Sequence, residues 1–309
     1  MSEIHLNDPA ARKAYIVTGP TSGIGRLTAL ELARHGTVVL VGRDAGKVED
    51  MRKTIERKRQ RAVSVVCDLS DVSSVRRAAA EIVALDLPLA GLLNNAGVMQ
   101  MRPTQTAQGW DTTFATNHLG PFAFTEALLP HLPDGAHIVF VASGVEDPER
   151  KPAKAAGFRG GRYVSAEASA RGEWRPGGAK SPGFDAYATS KQAILAAAMA
   201  LARENPRLRI NAIEPGFTPN TGLGRDANAA LQFVANHILP LLAPHIKYWS
   251  TPKRAARLEA KVLTDDSVRT GIYFDDDGQP MRGSALVQDV AFQDRVVAET
   301  RALLSSTSA

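Results

Sequence analysis

Apolar residues in this chain fall in short runs separated by longer stretches of helical periodicity. The first run, Ala14–Thr18 (AYIVT), follows a polar leader and breaks into Gly19. Ile24–His35 then carries apolar positions at helical spacing, and Thr37–Val41 (TVVLV) is β-branched throughout. The alternation continues with a predicted helix over Lys47–Lys58, a strand over Val63–Cys67, and a helix over Val72–Leu85 behind the cap candidates Ser70 and Asp71. Gly91–Asn94 predicts a strand, Asp111–Leu129 a helix and His137–Ala142 (HIVFVA) a strand. A long helix is expected over Asp185–Glu204, closed by Asn205 and Pro206, and a strand over Arg209–Ile213.

Strands separated by helices of this length form right-handed βαβ units on a parallel sheet. The strand segments are continuously apolar rather than alternating, so both faces of the sheet are covered. The expected fold is therefore α/β, a single-domain doubly wound fold with a mostly parallel sheet. Residues 1–12 form the leader and 13–309 the domain. Residues 144–183, rich in Gly, Pro, Ala, Arg and Lys with little periodicity, read as an insertion before the long helix. Tyr163 and Trp174 within it are candidates to line a pocket, with an ordinary surface flap as the alternative. Leu231, Phe233, Val234, Ile238, Leu241 and Leu242 make an apolar helical face within residues 220–250. That segment is expected to be a lid over substrate, with a dimer contact or a membrane-surface helix as the competing readings. Arg269–Phe274 predicts a last strand, Asp275–Gly278 a turn and Asp289–Leu304 a final helix.

Composition narrows the class. Over 309 residues, 44% hydrophobic and 22% charged describe an ordinary globular protein with a sizeable core. The net charge of +5 is dispersed. Its densest cluster, Arg52–Arg61 (RKTIERKRQR), contains a Glu and closes a predicted helix, so it reads as a solvated face rather than a nucleic-acid site. A single cysteine, Cys67, excludes an intrachain disulfide, and no zinc-type Cys/His spacing occurs, so no metal is expected. The first residues lack an apolar core of signal-peptide length. Leu231–Trp249 is interrupted by Asn236, His237, Pro240, Pro244, His245 and Lys247, short of the ~18 apolar residues a membrane span needs. No integral membrane segment is expected, and the sequence reads as cytoplasmic.

The chemistry begins at Thr18–Gly25 (TGPTSGIG), between the first strand and the first helix, where a dinucleotide-binding turn belongs. Glycines there allow a tight turn and close approach to a pyrophosphate, and the helix N-terminus offers free N–H groups. After the second strand comes Gly42-Arg43. An acid at that strand end would accept from a free ribose 2′-hydroxyl, whereas the Arg43 guanidinium can grip a 2′-phosphate, which favours NADP(H). Asp44 and Arg26 blur that reading, because Asp44 can turn toward the hydroxyls. Further on, Tyr187 and Lys191 (YATSK) lie four residues apart and share one helix face. A tyrosine of pKa near ~10 is a poor acid at neutral pH, but an ammonium ~5 Å away favours phenolate by about 3 kcal/mol.

TGxxxGIG followed by YxxxK resembles the short-chain dehydrogenase/reductase family, whose fold is a Rossmann fold. The resemblance runs from about Arg12 to Thr221. It implies that Gly19, Thr21, Ser22, Gly23 and Ile24 hold the pyrophosphate, and that Asp68 and Leu69 hold the adenine edge. Asn95, Ala96 and Gly97 of the NNAG segment would line the cofactor cleft, and Pro215, Gly216 and Thr218 would flank the nicotinamide. The family's substrate-binding serine corresponds to Ser143, and its mid-helix asparagine, which holds a water linking the lysine to solvent, to Asn117. The implied reaction is hydride transfer between nicotinamide and a carbonyl or alcohol carbon. In it Ser143 positions the oxygen, Tyr187 exchanges the proton, and Lys191 tunes Tyr187 and holds the ribose. Ser143 to Tyr187 spans 44 positions, far more than in many members. That spacing and NNAGVM are similar to the branch of retinol dehydrogenases and protochlorophyllide reductases. An apolar or aromatic ketone, aldehyde or alcohol is the expected substrate. The alternatives are a non-catalytic NADP(H)-binding redox sensor and a protochlorophyllide-type C=C reductase. The latter is disfavoured because Cys67 lies far from the expected substrate side. The Ala-rich run after Tyr187 (AILAAAMALA) suits either core packing or a helix-paired dimer, so monomer and homo-oligomer both stay open.

Overall fold

The computed structural model describes residues 13–218 and 250–306. The leader 1–12 and all of the expected lid except Ser250 lie outside the described residues. The chain alternates β1 (Ala14–Thr18), α1 (Gly23–Leu32), β2 (Thr37–Gly42), α2 (Ala45–Glu56), β3 (Ala62–Val66), α3 (Val72–Ala84) and β4 (Leu89–Asn94). Then come α4 (residues 112–128), β5 (His137–Val141), α5 (Lys151–Ala155), α6 (Ala166–Ala170), α7 (Pro182–Glu204) and β6 (Arg209–Ile213). After the gap follow α8 (Pro252–Thr264), β7 (Tyr273–Phe274), β8 (Pro280–Met281), α9 (Ala285–Gln288) and α10 (Val290–Ser306). One eight-stranded sheet runs in the order β3-β2-β1-β4-β5-β6-β7-β8, parallel except for the final β7–β8 hairpin. This is the doubly wound Rossmann arrangement, with the strand order reversing between β1 and β4.

The continuous apolar strands are buried on both faces, as their sequence demands. Ile16, Leu92, Ile138 and Phe140 point into one core, under α3, α4 and α7. Val17, Leu40, Leu93 and Val139 point into the other, under α1, α2 and α8. Helix starts follow local chemistry: the Asp44 and Asp71 carboxylates accept from Lys47 N–H and Ser73 N–H and cap α2 and α3. The basic cluster lies on solvated helix surface, where Arg52 pairs with Glu49 and Glu56.

Three features depart from the sequence reading. The expected strand over Arg269–Phe274 is confined to Tyr273–Phe274 and is followed by a hairpin strand, Pro280–Met281, that no pattern announced. Helix α8 was not visible either, because its charged sequence (PKRAARLEAKVLT) buries only a narrow stripe of Ala, Val and Leu with Glu259 among them. The insertion is no loose flap: α5 and α6 fold within it, and Tyr163 is buried. The Tyr163 hydroxyl donates to Glu299 at 2.7 Å, and its ring meets Phe292 edge-on. Trp174 packs 6.2 Å from the Phe114 ring. The Tyr163 side chain is not free to line a pocket, because α10 holds it in the core, whereas Trp174 is only partly buried against α4. The Ala-rich face of α7 is likewise covered by α10 within the chain. Core packing therefore accounts for the Ala-rich run. Among the described residues no helix is long and apolar enough to cross a membrane.

Candidate active site

The carboxyl ends of β1, β4, β5 and β6 open on one side of the sheet, at the reversal of strand order where open α/β sheets bind ligands. Gly19 (φ 68°) and Gly23 (φ 54°) take the left-handed backbone that the first loop needs. A Cβ on Gly25 would lie 2.2 Å from Asn95 Nδ2 and 2.4 Å from the Gly19 carbonyl, so no side chain fits there. Asn95 Nδ2 donates to the Thr18 carbonyl at 2.8 Å, and Thr18 Oγ1 accepts from the N–H groups of both Asn95 and Ala96 at 3.0 Å. The loops after β1 and β4 are thus bolted together. Thr18 is the bolt, a role the motif alone did not disclose.

Thr21 and Ser22 complete the loop, and Ser22 is the N-cap of α1 yet makes no side-chain capping bond. The N–H groups at Gly23 and Ile24 and the positive end of the helix dipole therefore suit an external anion. Gly42 ends β2 with no room for a side chain, since a Cβ would lie 2.9 Å from Val48 Cγ2. Arg43 beside it is exposed. Asp44 caps α2 and pairs with Lys47 at 3.1 Å, so both of its carboxylate oxygens are engaged by that residue. Arg26 is exposed on the first turn of α1. Asp68 Oδ1 accepts from the Ser70 N–H and hydroxyl, which fixes the loop after β3, while Leu69 is buried against Gly120. Gly216 (φ 75°) turns the chain after Pro215, and Thr218 Oγ1 donates back to its carbonyl at 3.1 Å. These cradles fit a nicotinamide dinucleotide.

Ser143, Tyr187, Lys191 and Asn117 come together beside that crevice. Tyr187 and Lys191 share one face of α7, with the ammonium 5.7 Å from the phenol ring centroid. Ser143 follows β5 in extended backbone, and its side chain faces the Tyr187 hydroxyl. Asn117 sits in a π-helical turn, Ala115–Leu119, that interrupts α4. Such turns widen a helix and free a residue for other partners. Here Asn117 Oδ1 accepts from Val98 N–H at 2.8 Å, while Nδ2 donates to the Val98 carbonyl and to Ser190 Oγ. A Cβ on Gly97 would lie 3.4 Å from Asn117 Oδ1 and 3.6 Å from Lys191 Nζ, so all three share one wall.

Burial dominates the electrostatics. It pushes the Tyr187 phenol well above its ordinary value. The nearby Glu214 carboxylate adds to the rise and the Ser143 hydroxyl opposes it. Burial also pushes Lys191 down to about 8, opposed by Glu259. Burial of the phenol itself thus outweighs the pull expected of the ammonium. Glu214, Arg150 and Glu259 were missed by sequence reasoning. They come from separate elements, and no local spacing marks buried acids brought together by folding. Next to Tyr187 lies a small apolar cluster. Phe158 from the insertion stacks on Phe184 at 4.2 Å and stands 6.4 Å from the Tyr187 ring, with Met99 and Val145 packed against them.

The short chain dehydrogenase sequence profile matches residues 13–153. The short-chain dehydrogenase/reductase pkfC of Emericella nidulans is 32% identical over 244 residues, covering 73% of this chain and 72% of its own. Retinol dehydrogenase 12 of Bos taurus is 40% identical over 127 residues, which span only 40% of either chain. Among solved structures, a protein of Mycobacterium paratuberculosis superimposes with a TM-score of 0.70 at 28% identity, over 96% of this chain and 94% of its own. A short chain dehydrogenase of Shigella flexneri complexed with NADP does so with a TM-score of 0.60 at 28% identity, over 86% and 97%. With the serine, tyrosine, lysine and asparagine gathered at the mouth of a doubly wound sheet, the chain belongs to the short-chain dehydrogenase/reductase family of oxidoreductases.

Proposed function

We propose that the protein is an NADP(H)-dependent oxidoreductase acting on the carbonyl or alcohol group of a small apolar or aromatic molecule. The observation that carries this reading is the meeting of Ser143 with the Tyr187 hydroxyl, with Lys191 beside the ring. The cofactor supplies or accepts hydride at the nicotinamide C4. Ser143 holds the substrate oxygen, and Tyr187 gives the proton to that oxygen in reduction or takes it in oxidation. Lys191 and Asn117 hold the buried side of the proton path. Gly19, Thr21, Ser22, Gly23 and Ile24 would carry the pyrophosphate, Asp68 and Leu69 the adenine, and Asn95, Ala96, Gly97, Pro215, Gly216 and Thr218 the nicotinamide half.

NADP(H) over NAD(H) is supported by three neighbours at the end of β2. Gly42 leaves no room for an acid, Asp44 caps its helix, and the exposed Arg43 can take a 2′-phosphate. An apolar substrate is supported by the Phe158–Phe184 stack and Met99 beside Tyr187. A C=C reductase needing a cysteine at the substrate is a poorer fit, because Cys67 is buried behind α3 with its thiol pushed up to about 12. A non-catalytic sensor would not need the intact tyrosine and lysine. The test is NADPH consumption with a panel of apolar aldehydes and ketones, wild type against Tyr187→Phe. We expect turnover to fall by about 10²-fold or more, with nucleotide affinity kept. Undiminished turnover in Tyr187→Phe would refute the assignment.

A further inference from the structure

Arg150 comes from the insertion after β5, yet it lies beneath the active site. Its Nη2 donates to Glu214 Oε2 at 2.8 Å, with side chains only 18% and 10% exposed. Glu214 follows β6 directly before Pro215, and its own N–H donates to the Phe274 carbonyl at 2.8 Å. The Gly144 peptide faces the Glu214 carboxylate. A Cβ on Gly144 would lie 2.7 Å from Glu214 Oε1 and 3.0 Å from Arg150 Nε, so both side chains pack directly on the Gly144 peptide. Three segments thus close on one carboxylate: the insertion, the peptide after Ser143, and the turn that leads to Pro215 and Gly216.

A buried ion pair is seldom a better stabiliser than apolar side chains of the same volume. Its position against the reacting groups points to another use. We propose, on the reading of Tyr187 as proton donor and acceptor, that the Arg150–Glu214 pair is a positioning device. It holds the Ser143–Gly144 peptide against the Glu214–Gly216 turn, and its guanidinium offsets the carboxylate that faces the Tyr187 phenol.

The surroundings leave few other groups to do this. Tyr187 is faced by Ser143, Glu214, Lys191 and Tyr273. Glu214 is faced by Arg150, by Asp276 beyond β7, by Glu146 and by Tyr187 and Tyr273. The Tyr273 hydroxyl is buried without a hydrogen-bond partner among the described residues, and it also faces Glu146, whose carboxylate accepts from the Ser284 N–H and hydroxyl. Arg150 is therefore the cation set against this acidic side. With it gone, the bare Glu214 carboxylate disfavours the phenolate that alcohol oxidation requires.

The test compares wild type with Arg150→Met, Arg150→Lys, Glu214→Gln and the Arg150→Met/Glu214→Gln double variant. In the alcohol-oxidising direction, the ascending limb of kcat against pH should move up by about one pH unit in Arg150→Met. Below the midpoint that is a roughly tenfold lower rate. Arg150→Lys should restore most of it. The double variant should return toward the wild-type midpoint, because the glutamine keeps the shape of the glutamate but carries no charge. A merely structural pair would lower rate and melting temperature with the midpoint unmoved, and that outcome overturns the proposal. So does a double variant more displaced than Arg150→Met alone. A wild type that turns over no substrate counts against the proposed function instead. The ζ-carbon NMR resonance of Tyr187, assigned by loss in Tyr187→Phe, then decides. It should shift in Arg150→Met and return in the double variant, and an unmoved resonance refutes the coupling.

Discussion

Lys191 Nζ donates a 2.7 Å hydrogen bond to the carbonyl of Val141, the last residue of β5, two positions before Ser143. The lysine is therefore anchored to the strand that delivers the serine, while its ammonium stands near the Tyr187 ring. One backbone carbonyl ties α7 to β5 at the point where their functional side chains meet.

Replacing Lys191 with Met should separate chemistry from stability. A buried ammonium is costly to desolvate, and its bond to Val141 is worth about 1.5–3 kcal/mol, so the two losses oppose each other. Melting temperature should change little while kcat falls by about 10²-fold or more. Circular dichroism melts beside steady-state assays check both, and activity kept within tenfold would remove Lys191 from the mechanism.

Glu259 should make stability fall with pH. It is fully buried on α8, where Thr28 Oγ1 lies 2.7 Å from its Oε2 and 3.1 Å from the Ile24 carbonyl. Its Oε1 has no partner among the described residues. One hydroxyl proton cannot serve two acceptors, so a protonated Glu259 donating to Thr28 satisfies the geometry. Burial pushes its carboxyl from 4.5 up to about 8. Between those values the folded state holds a proton that the unfolded chain has lost, so stability is greatest below pH 4.5 and declines toward pH 8, by a few kcal/mol on the order of its shift. The depressed Lys191 acts in a higher window, from about 8 to 10.5, where rising pH restores stability. Glu259→Gln should flatten the fall in melting temperature between pH 5 and pH 8. Parallel curves for the two proteins would contradict this.

Arg43→Ala tests cofactor choice. A charge-assisted phosphate contact of about 1.5–3 kcal/mol predicts a KM for NADPH raised roughly 10- to 100-fold, with the KM for NADH unchanged. Equal effects on both nucleotides would show that Arg43 does not read the 2′-position.

Gly25→Ala tests the joint between the two loops. Its new Cβ would have to displace Asn95 from the Thr18 carbonyl. Overpacking of this kind is expected to lower stability by about 1–3 kcal/mol and weaken dinucleotide binding at least about tenfold. Titration of nucleotide fluorescence measures the binding, and an unchanged Kd would mean that Asn95 does not set the loop.

Much of the site was legible in order along the chain. Tyr187 and Lys191 declare themselves by helical spacing, and Thr18–Gly25 by its place between strand and helix. Asn117 was legible as an awkward residue in a helix, and its π-helical turn is the distortion that such a residue calls for. Asp44 was not legible, because capping α2 and reading a ribose look alike in sequence. Tyr163 misled for a related reason: an aromatic in an irregular segment gives no sign of whether it faces a cleft or a helix.

What the sequence by itself determined was the alternation of apolar strands and amphipathic helices, and with it the doubly wound sheet and the order of its loops. Those follow from periodicity and turn chemistry, which are local. What only the tertiary structure decided was which distant charges share a low-dielectric space. Arg150 reaches Glu214 across 64 positions and Thr28 reaches Glu259 across 231, and burial then raises both carboxyl groups above their ordinary range. Electrostatics depends on distance and solvent exposure in three dimensions, and neither is written in the spacing of residues along the chain.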